Sequence, residues 1–326
     1  MSSSGRLHSE AVHIDQSIYS WTPKRWDRGA GIEMSYLDEG PTYPPTKGEA
    51  STIVMVHGNP TWSIYFRHLI GPLSARHRCI VPDHVGMGLS DKPDDDHYSY
   101  TLGSRVDDLT RLIDHLVPTG KVSLVAHDWG GMIAMAWAVK NVARLDRIAL
   151  MNTAAFPMPS DMRFPGVLRF TRSPVGALLV RGGNAFALGA SHLCTTRTRM
   201  PRAVRHAYRA PYASWDTRLS TLRFVEDIPL DPTDRAYPIV RDTGLGLAGL
   251  SHVPMSIVWG MKDFIFGDSF LREWERRCPH AEVLRIADAG HYVLEDAEDE
   301  VVSRFVRFFD GVDQPSAGLG ARGAQG

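Results

Sequence analysis

Between Lys121 and Gly131 the chain reads Lys-Val-Ser-Leu-Val-Ala-His-Asp-Trp-Gly-Gly, an apolar strand-like run that passes into a helical one through a single turn with Asp128 at its apex. Small residues, Ala126 and Gly130, stand two positions before and after the apex. That spacing lets a strained strand-to-helix turn project one side chain into a cleft. Such a turn restricts the chain to folds in which strands and helices alternate. The apex residue restricts the chemistry as well. A carboxylate there displaces a leaving group from saturated carbon and forms an alkyl ester, whereas a serine alkoxide mostly takes acyl carbon.

The rest of the chain alternates as the turn requires. Strands are expected at Met34–Asp38, Ser51–His57, Cys79–Asp83, Val122–Ala126, Arg147–Asn152, Met255–Trp259 and Glu282–Ile286. The second is a nearly continuous apolar run, suited to a strand buried on both faces. Helices are expected at about Leu102–Leu116, from Trp129 onward, around Phe270–Arg277 and near Glu300–Phe309. From residue 156 to 250 the pattern changes to Pro, Arg and aromatic residues in short amphipathic pieces, which reads as an inserted helical cap. The expectation is an α/β core formed by residues 20–155 and 251–310, a cap at 156–250, and flexible termini at 1–19 and 311–326, where the C-terminal stretch is rich in Gly, Ala, Ser and Gln. No internal repeat is evident.

Composition narrows the class. A chain of 326 residues, 43% hydrophobic and 22% charged, can bury one large core and an insertion. A formal net charge of -1 and a pI near 6.9 provide no overall electrostatic footprint for nucleic acid or an acidic membrane surface. Cys79, Cys194 and Cys278 are odd in number, widely spaced and without CxxC or Cys/His pairing, as expected of free thiols in a reducing cytoplasm with no zinc site. Met1–Glu10 is polar and lacks a signal-peptide core, and no run of about 18 apolar residues occurs. A cytoplasmic protein without a membrane span is expected.

A nucleophile at such a turn calls for an acid and then a histidine later in the chain. Asp263 follows the strand ending at Trp259, and His291 follows the next strand in Asp-Ala-Gly-His-Tyr. Both lie where strand ends open into loops, the edge at which parallel sheets bind ligands. The other place for the acid, after Asn152, holds Asn-Thr-Ala-Ala and no carboxylate. His291, oriented by Asp263, is then the base that activates water against an ester on Asp128. The loop His57-Gly-Asn-Pro-Thr-Trp62 follows an early buried strand. The backbone N–H groups of Asn59 and Trp129 are expected to cradle an oxyanion, and their side-chain N–H groups a departing anion.

Four segments together, His57-Gly-Asn-Pro-Thr-Trp62, Asp83-His-Val-Gly-Met-Gly-Leu-Ser-Asp-Lys-Pro93, His127-Asp-Trp-Gly-Gly131 and Trp259-Gly-Met-Lys-Asp263, resemble the haloalkane dehalogenase family of α/β-hydrolases across residues 20–310. Asn152-Thr-Ala-Ala-Phe156 and Arg223-Phe-Val-Glu-Asp-Ile-Pro-Leu230 look closer to the branch containing the β-lactone decarboxylases of bacterial long-chain olefin biosynthesis. The resemblance implies an eight-stranded, mostly parallel sheet with a helical cap, and catalysis through Asp128 without metal or organic cofactor. It implies a small apolar substrate, preferably a cis-β-lactone giving a long-chain cis-alkene and carbon dioxide, with hydrolysis of 1-haloalkanes as the alternative. Assembly with lactone-forming enzymes is implied by resemblance alone.

Blander roles compete at each position. A buried aspartate at a turn also serves as a helix cap, Trp129 as packing and Asn59 as a turn residue before Pro60. His57, His84 and His127 are expected to be structural. Tyr208 and Tyr212 offer a disfavoured reading as activators of an epoxide oxygen. Phe156, Phe170, Phe186, Trp215, Phe224, Phe264 and Phe266 are candidates for an apolar pocket, although cap aromatics are commonly core. A silent binding protein on the same fold is the remaining alternative, opposed by the complete set of Asp128, Asp263 and His291.

Overall fold

The computed structural model describes residue 12, residues 14–41 and residues 52–311. Ser51, expected to open a strand, and the segments 1–11 and 312–326 of the expected flexible termini lie outside the described residues. Eight strands form one sheet: β1 (Lys24–Gly29), β2 (Ile32–Glu39), β3 (Thr52–Val56), β4 (Arg78–Pro82), β5 (Val122–Asp128), β6 (Leu145–Thr153), β7 (Met255–Gly260) and β8 (Glu282–Ile286). Their spatial order is β1-β2-β4-β3-β5-β6-β7-β8. β2 pairs antiparallel with β1 and with β4, and every pairing from β4 across to β8 is parallel. Strands β3 and β5 are buried along almost their whole length, as a central parallel position demands.

The chain leaves β3 for β4 on one side and later returns to place β5 on the other. Order reverses there, and a crevice opens at the carboxyl ends of β3 and β5. Helices α1 (Arg67–Ser74), α2 (Leu102–Leu116) and α3 (Trp129–Ala138) belong to this half of the core. Thr101 caps α2 by accepting a hydrogen bond from the Ser104 amide at 3.1 Å. Helix α3 is buried on every face, so its residues are apolar or small throughout.

Between β6 and β7 lies the helical insert, comprising α4 (Gly166–Thr171), α5 (Pro174–Gly183), α6 (Ala185–Leu193), α7 (Arg202–Arg209), α8 (Leu219–Glu226) and α9 (Tyr237–Gly246). The core closes with α10 (Asp268–Arg277), α11 (Val293–Asp296) and α12 (Glu298–Asp310). Three acids in the first turn of α12 complement its dipole, and Gly311, at φ 69°, ends it in a left-handed conformation.

Two features depart from the sequence reading. Strand β1, Lys-Arg-Trp-Asp-Arg-Gly, has no apolar alternation because it is an exposed edge strand held by β2. The expected flexible terminus at 1–19 also ends too late, since Tyr19 is buried, shares a 2.8 Å hydrogen bond with Ser63 and packs against Trp62.

Helix α3 passes so close to β3 that a Cβ at Gly130 falls 1.9 Å from the Val56 carbonyl oxygen. Neither backbone can yield without breaking the sheet. Gly130→Ala is therefore expected to destabilise the protein by about 3 kcal/mol or more. Urea denaturation measures this, and a loss under about 1 kcal/mol contradicts the close approach.

Candidate active site

At the end of β5 the pairing with β6 slips register between His127 and Asp128, and Asp128 turns to φ 55° as it enters α3. This left-handed conformation is costly for a residue with a Cβ, and it turns the carboxylate away from the sheet. Thr153 Oγ1 holds the turn by donating to the Asp128 carbonyl at 2.5 Å. On the facing loop, a Cβ at Gly58 falls 2.0 Å from Asp128 Oδ1, so only glycine admits the carboxylate.

His291, in the loop after β8, and Asp263, in the loop after β7, reach the same space. His291 Nδ1 lies 2.8 Å from Asp263 Oδ2, while Nε2 stands 3.5 Å from Asp128 Oδ2 without a hydrogen-bond partner. All three side chains are buried. Asp263 Oδ1 accepts from the Ile265 amide at 2.7 Å, and Oδ2 also accepts from Asn152 Nδ2 at 2.9 Å. Asn152 is a site residue that sequence reasoning passed over as an empty acid position. At φ 27° it clasps the Gly260 backbone through its side-chain amide and carbonyl, and so ties the end of β6 to the acid after β7. Its positive φ, like that of Asp128, is visible only in the fold.

The charges follow from this packing. Burial works against an imidazolium at His291, but the Asp263 and Asp128 carboxylates outweigh it and raise the pKa to about 10. Burial pushes Asp128 upward, yet the nearby His291 holds it below the ordinary carboxylate value. At neutral pH His291 is thus held as an imidazolium beside Asp128. Loss of the negative charge on Asp128 would weaken the hold on the His291 proton.

The Asn59 backbone amide donates to Asp128 Oδ1 at 2.7 Å. Oδ1 is thereby seated and Oδ2 is left facing His291. In an ester formed through Oδ2, Oδ1 is the carbonyl oxygen, and charge developing on it meets that amide. The Asn59 side chain is partly committed elsewhere. Its Nδ2 donates to the Thr221 carbonyl in α8 at 3.1 Å, and its Oδ1 is buried without a partner. The sequence gives no sign of this bond, because the acceptor is a backbone carbonyl 162 residues away. Trp129 lines the adjoining cavity and packs edge-on to Phe224 at 5.3 Å.

Two apolar cavities meet here. One has Asp128, Asn59 and Trp129 among its lining together with Met158, Phe164 and Phe270. The other has His291 and Asn59 at its inner end and runs beneath α4, α5 and α6. Asn59, Leu168, Phe186 and Ile265 border both. Of the other candidate aromatics, Phe156 and Phe266 line the first cavity and Phe170 and Phe264 the second.

The three histidines beside the motifs, His57, His84 and His127, hold loops. His84 Nε2 meets the His57 carbonyl at 2.9 Å, the His84 amide donates to His57 Nε2 at 3.1 Å, and His127 Nε2 meets the His291 carbonyl at 2.9 Å. Burial pushes His57 down to about 4 and His127 to about 3, so both stay neutral. Tyr208 bonds Glu295, and Tyr212 bonds the Gly88 amide and Thr61 carbonyl. Neither tyrosine lines these cavities, so the epoxide reading loses its two hydroxyl donors.

A model of the α/β-hydrolase fold matches residues 51–298. The chain is 48% identical over 298 residues to a cis-3-alkyl-4-alkyloxetan-2-one decarboxylase of Xanthomonas campestris pv. campestris, covering 90% of this chain and 97% of that protein. It is 47% identical to a protein of the same name from Shewanella oneidensis, with 85% of each covered. Among solved structures, a loop variant of a haloalkane dehalogenase from Bradyrhizobium elkanii superposes with a TM-score of 0.78 at 25% identity, over 89% of this chain and 96% of that one.

The raised His291 value has a measurable sign. It stands above the unfolded value of about 6.5, so protonated His291 contributes stability that is fully present below that pH. The contribution is lost as pH rises through about 10. Imidazole NMR signals should report a doubly protonated ring at pH 8, and Asp128→Asn, which removes one carboxylate, should lower the midpoint by about 1 unit or more. A neutral ring at pH 8 in the unaltered protein overturns this assignment.

Proposed function

The chain belongs to the α/β-hydrolase family, in its haloalkane dehalogenase-like group, and from that premise we propose that it is a cis-3-alkyl-4-alkyloxetan-2-one decarboxylase. Its substrate is a β-lactone with two alkyl arms, and its products are a cis-alkene and carbon dioxide. The observation that carries the reading is the pair of apolar cavities meeting at Asp128 and His291. A substrate with two hydrocarbon arms on adjacent ring carbons occupies both, whereas a 1-haloalkane has use for one. The relatives at 47–48% identity support the same substrate class.

In this reading Asp128 is the nucleophile. Its Oδ2 attacks the ring carbon that bears the lactone oxygen, the C–O bond breaks, and the freed carboxylate stays attached to the neighbouring carbon. Backside attack leaves the new C–O bond anti to the C–CO₂ bond. The electron pair of that C–C bond then forms the alkene, carbon dioxide departs, and the Asp128 carboxylate is expelled unchanged. Displacement with inversion followed by anti elimination keeps the two arms on one side, so a cis-lactone yields a cis-alkene. Trp129, and Asn59 when its amide is released from Thr221, donate to the carboxylate as it forms. His291 balances the charge on Asp128, and Asp263 orients His291. The insert, residues 156–250, serves as the cap over core segments 20–155 and 251–310. Three buried, unpaired cysteines are compatible with a cytoplasmic location, and among the described residues no helix is long and apolar enough to cross a membrane.

Asp128→Ala is expected to lower alkene formation from a dialkyl β-lactone by several orders of magnitude while the protein stays folded. Retention of more than about a tenth of the activity removes Asp128 from the chemistry. Turnover of the lactone in oxygen-18 water should leave the Asp128 peptide largely unlabelled by mass spectrometry, because no water attacks its carbonyl. Heavy label rejects this route in favour of an anhydride hydrolysed with His291 as base. Rapid halide release from a 1-haloalkane panel, with no alkene from the lactone, replaces the decarboxylase with a dehalogenase.

A further inference from the structure

The balanced charge of the whole chain conceals an asymmetry. Residues 156–250 contain 13 arginines and no lysine against 7 acidic residues, a formal charge of +6, so the remainder of the -1 chain carries -7. Part of this surplus is concentrated at α7 and the residues before it. Among the described residues, Arg199, Arg202, Arg205 and Arg209 make no ion pair with a carboxylate, and Nε and Nη1 of Arg205 make no hydrogen bond. Desolvation and the neighbouring charges of Arg199, Arg209 and Arg202 push the Arg205 guanidinium below its ordinary value. Arg163 and Arg169, beside and within α4, are also exposed.

The same part of the insert displays apolar side chains to solvent. Val167 and Phe170 in α4, Val175, Leu178 and Leu179 in α5, Leu188 and Leu193 in α6, and Phe264 are 40–62% exposed. Helix α5 packs against α4 and α6, and α6 packs against α7, so the apolar surface adjoins the arginine cluster. Five of these residues, Val167, Phe170, Leu179, Leu193 and Phe264, also line the cavity that ends at His291. That cavity opens through the apolar surface itself.

We propose that this face of the insert docks on a bilayer containing anionic lipid, so that a long-chain substrate enters the cavity, and its hydrocarbon product leaves, through the membrane interface. Guanidinium groups lacking acids of their own complement headgroup phosphates, and the apolar side chains enter the region just beneath the headgroups. A hydrocarbon chain then passes from bilayer to cavity without crossing water. The near-zero net charge argued against an acidic membrane only because the sum averages a basic insert with an acidic remainder. The passage of substrate and hydrocarbon product rests on the proposed reaction, whereas the docking itself does not depend on which leaving group Asp128 displaces.

Flotation of the full chain with phosphatidylcholine vesicles, with and without phosphatidylglycerol, tests the proposal. The protein is expected to float with the anionic vesicles, less so as salt rises, and to remain behind with neutral ones. The paired change Arg199→Glu with Arg202→Glu should weaken binding about thirtyfold, and Val175→Ser with Leu178→Ser about tenfold or more. None of these four residues lines the cavities, and thermal unfolding checks that both variants fold. Absence of flotation, flotation indifferent to lipid charge, or binding unchanged in both variants overturns the proposal. So does a dimer, seen by light scattering without lipid, that Val175→Ser with Leu178→Ser dissociates while flotation stays intact, since the face then belongs to a second copy of the chain.

Discussion

Two carboxylates and one imidazole share a dry space at the carboxyl edge of the sheet, and their mutual charge is the constraint on which the site depends. Neither Asp128 nor Asp263 is favourable there alone, because an unpaired buried charge is expensive. His291 between them, 2.8 Å from Asp263 and 3.5 Å from Asp128, balances part of that charge. The rest is met by neutral donors: the Asn59 amide on Asp128, and the Ile265 amide and Asn152 side chain on Asp263. Each donor comes from the end of a different strand or its following loop. The parallel sheet is what brings them together, since all those strands end at one edge.

The insert is joined to the core at specific points, some of them beside this arrangement. Asn59 reaches α8 through the Thr221 carbonyl, the buried Arg105 guanidinium of α2 lies 3.5 Å from the centre of the Phe224 ring, and Asp227 accepts from the Leu102 amide at 2.6 Å. These contacts gather around α8, the helix adjoining the site. Helices α4, α5 and α6 instead roof the second cavity and retain much of their apolar surface in solvent. Chemistry and cavity shape are therefore carried by different parts of the molecule. The core edge supplies the triad of Asp128, Asp263 and His291, and the insert supplies most of the apolar walls around it.

Much of the fold is legible because central strands of a parallel sheet are buried on both faces and write themselves as mainly apolar runs. Strands β3, β5 and β7 are of this kind. The edge strand β1 is not, and its polar residues resemble a loop until β2 pairs with it. Tyr19 likewise carries no local sign of order, since nothing nearby in sequence announces Ser63 and Trp62 as its partners. The elbow at Asp128 was legible for a different reason. Close backbone approaches demand small residues at fixed offsets, and Ala126 and Gly130 stand two positions before and after Asp128.

What the sequence by itself determined is the order of strands and helices, the residues offered to the site, Asp128, Asp263 and His291, and the loop that presents Asn59. Local pattern and short-range spacing encode those things. Only the tertiary structure decided that Asn152 clamps Asp263, that α8 holds the Asn59 amide, and that two cavities rather than one converge on the carboxylate. It also decided where the arginines and apolar side chains of the insert face. Each of these depends on groups far apart in the chain meeting at one edge of the sheet, and backbone carbonyls, positive φ angles and cavity volume leave no mark in a string of side chains.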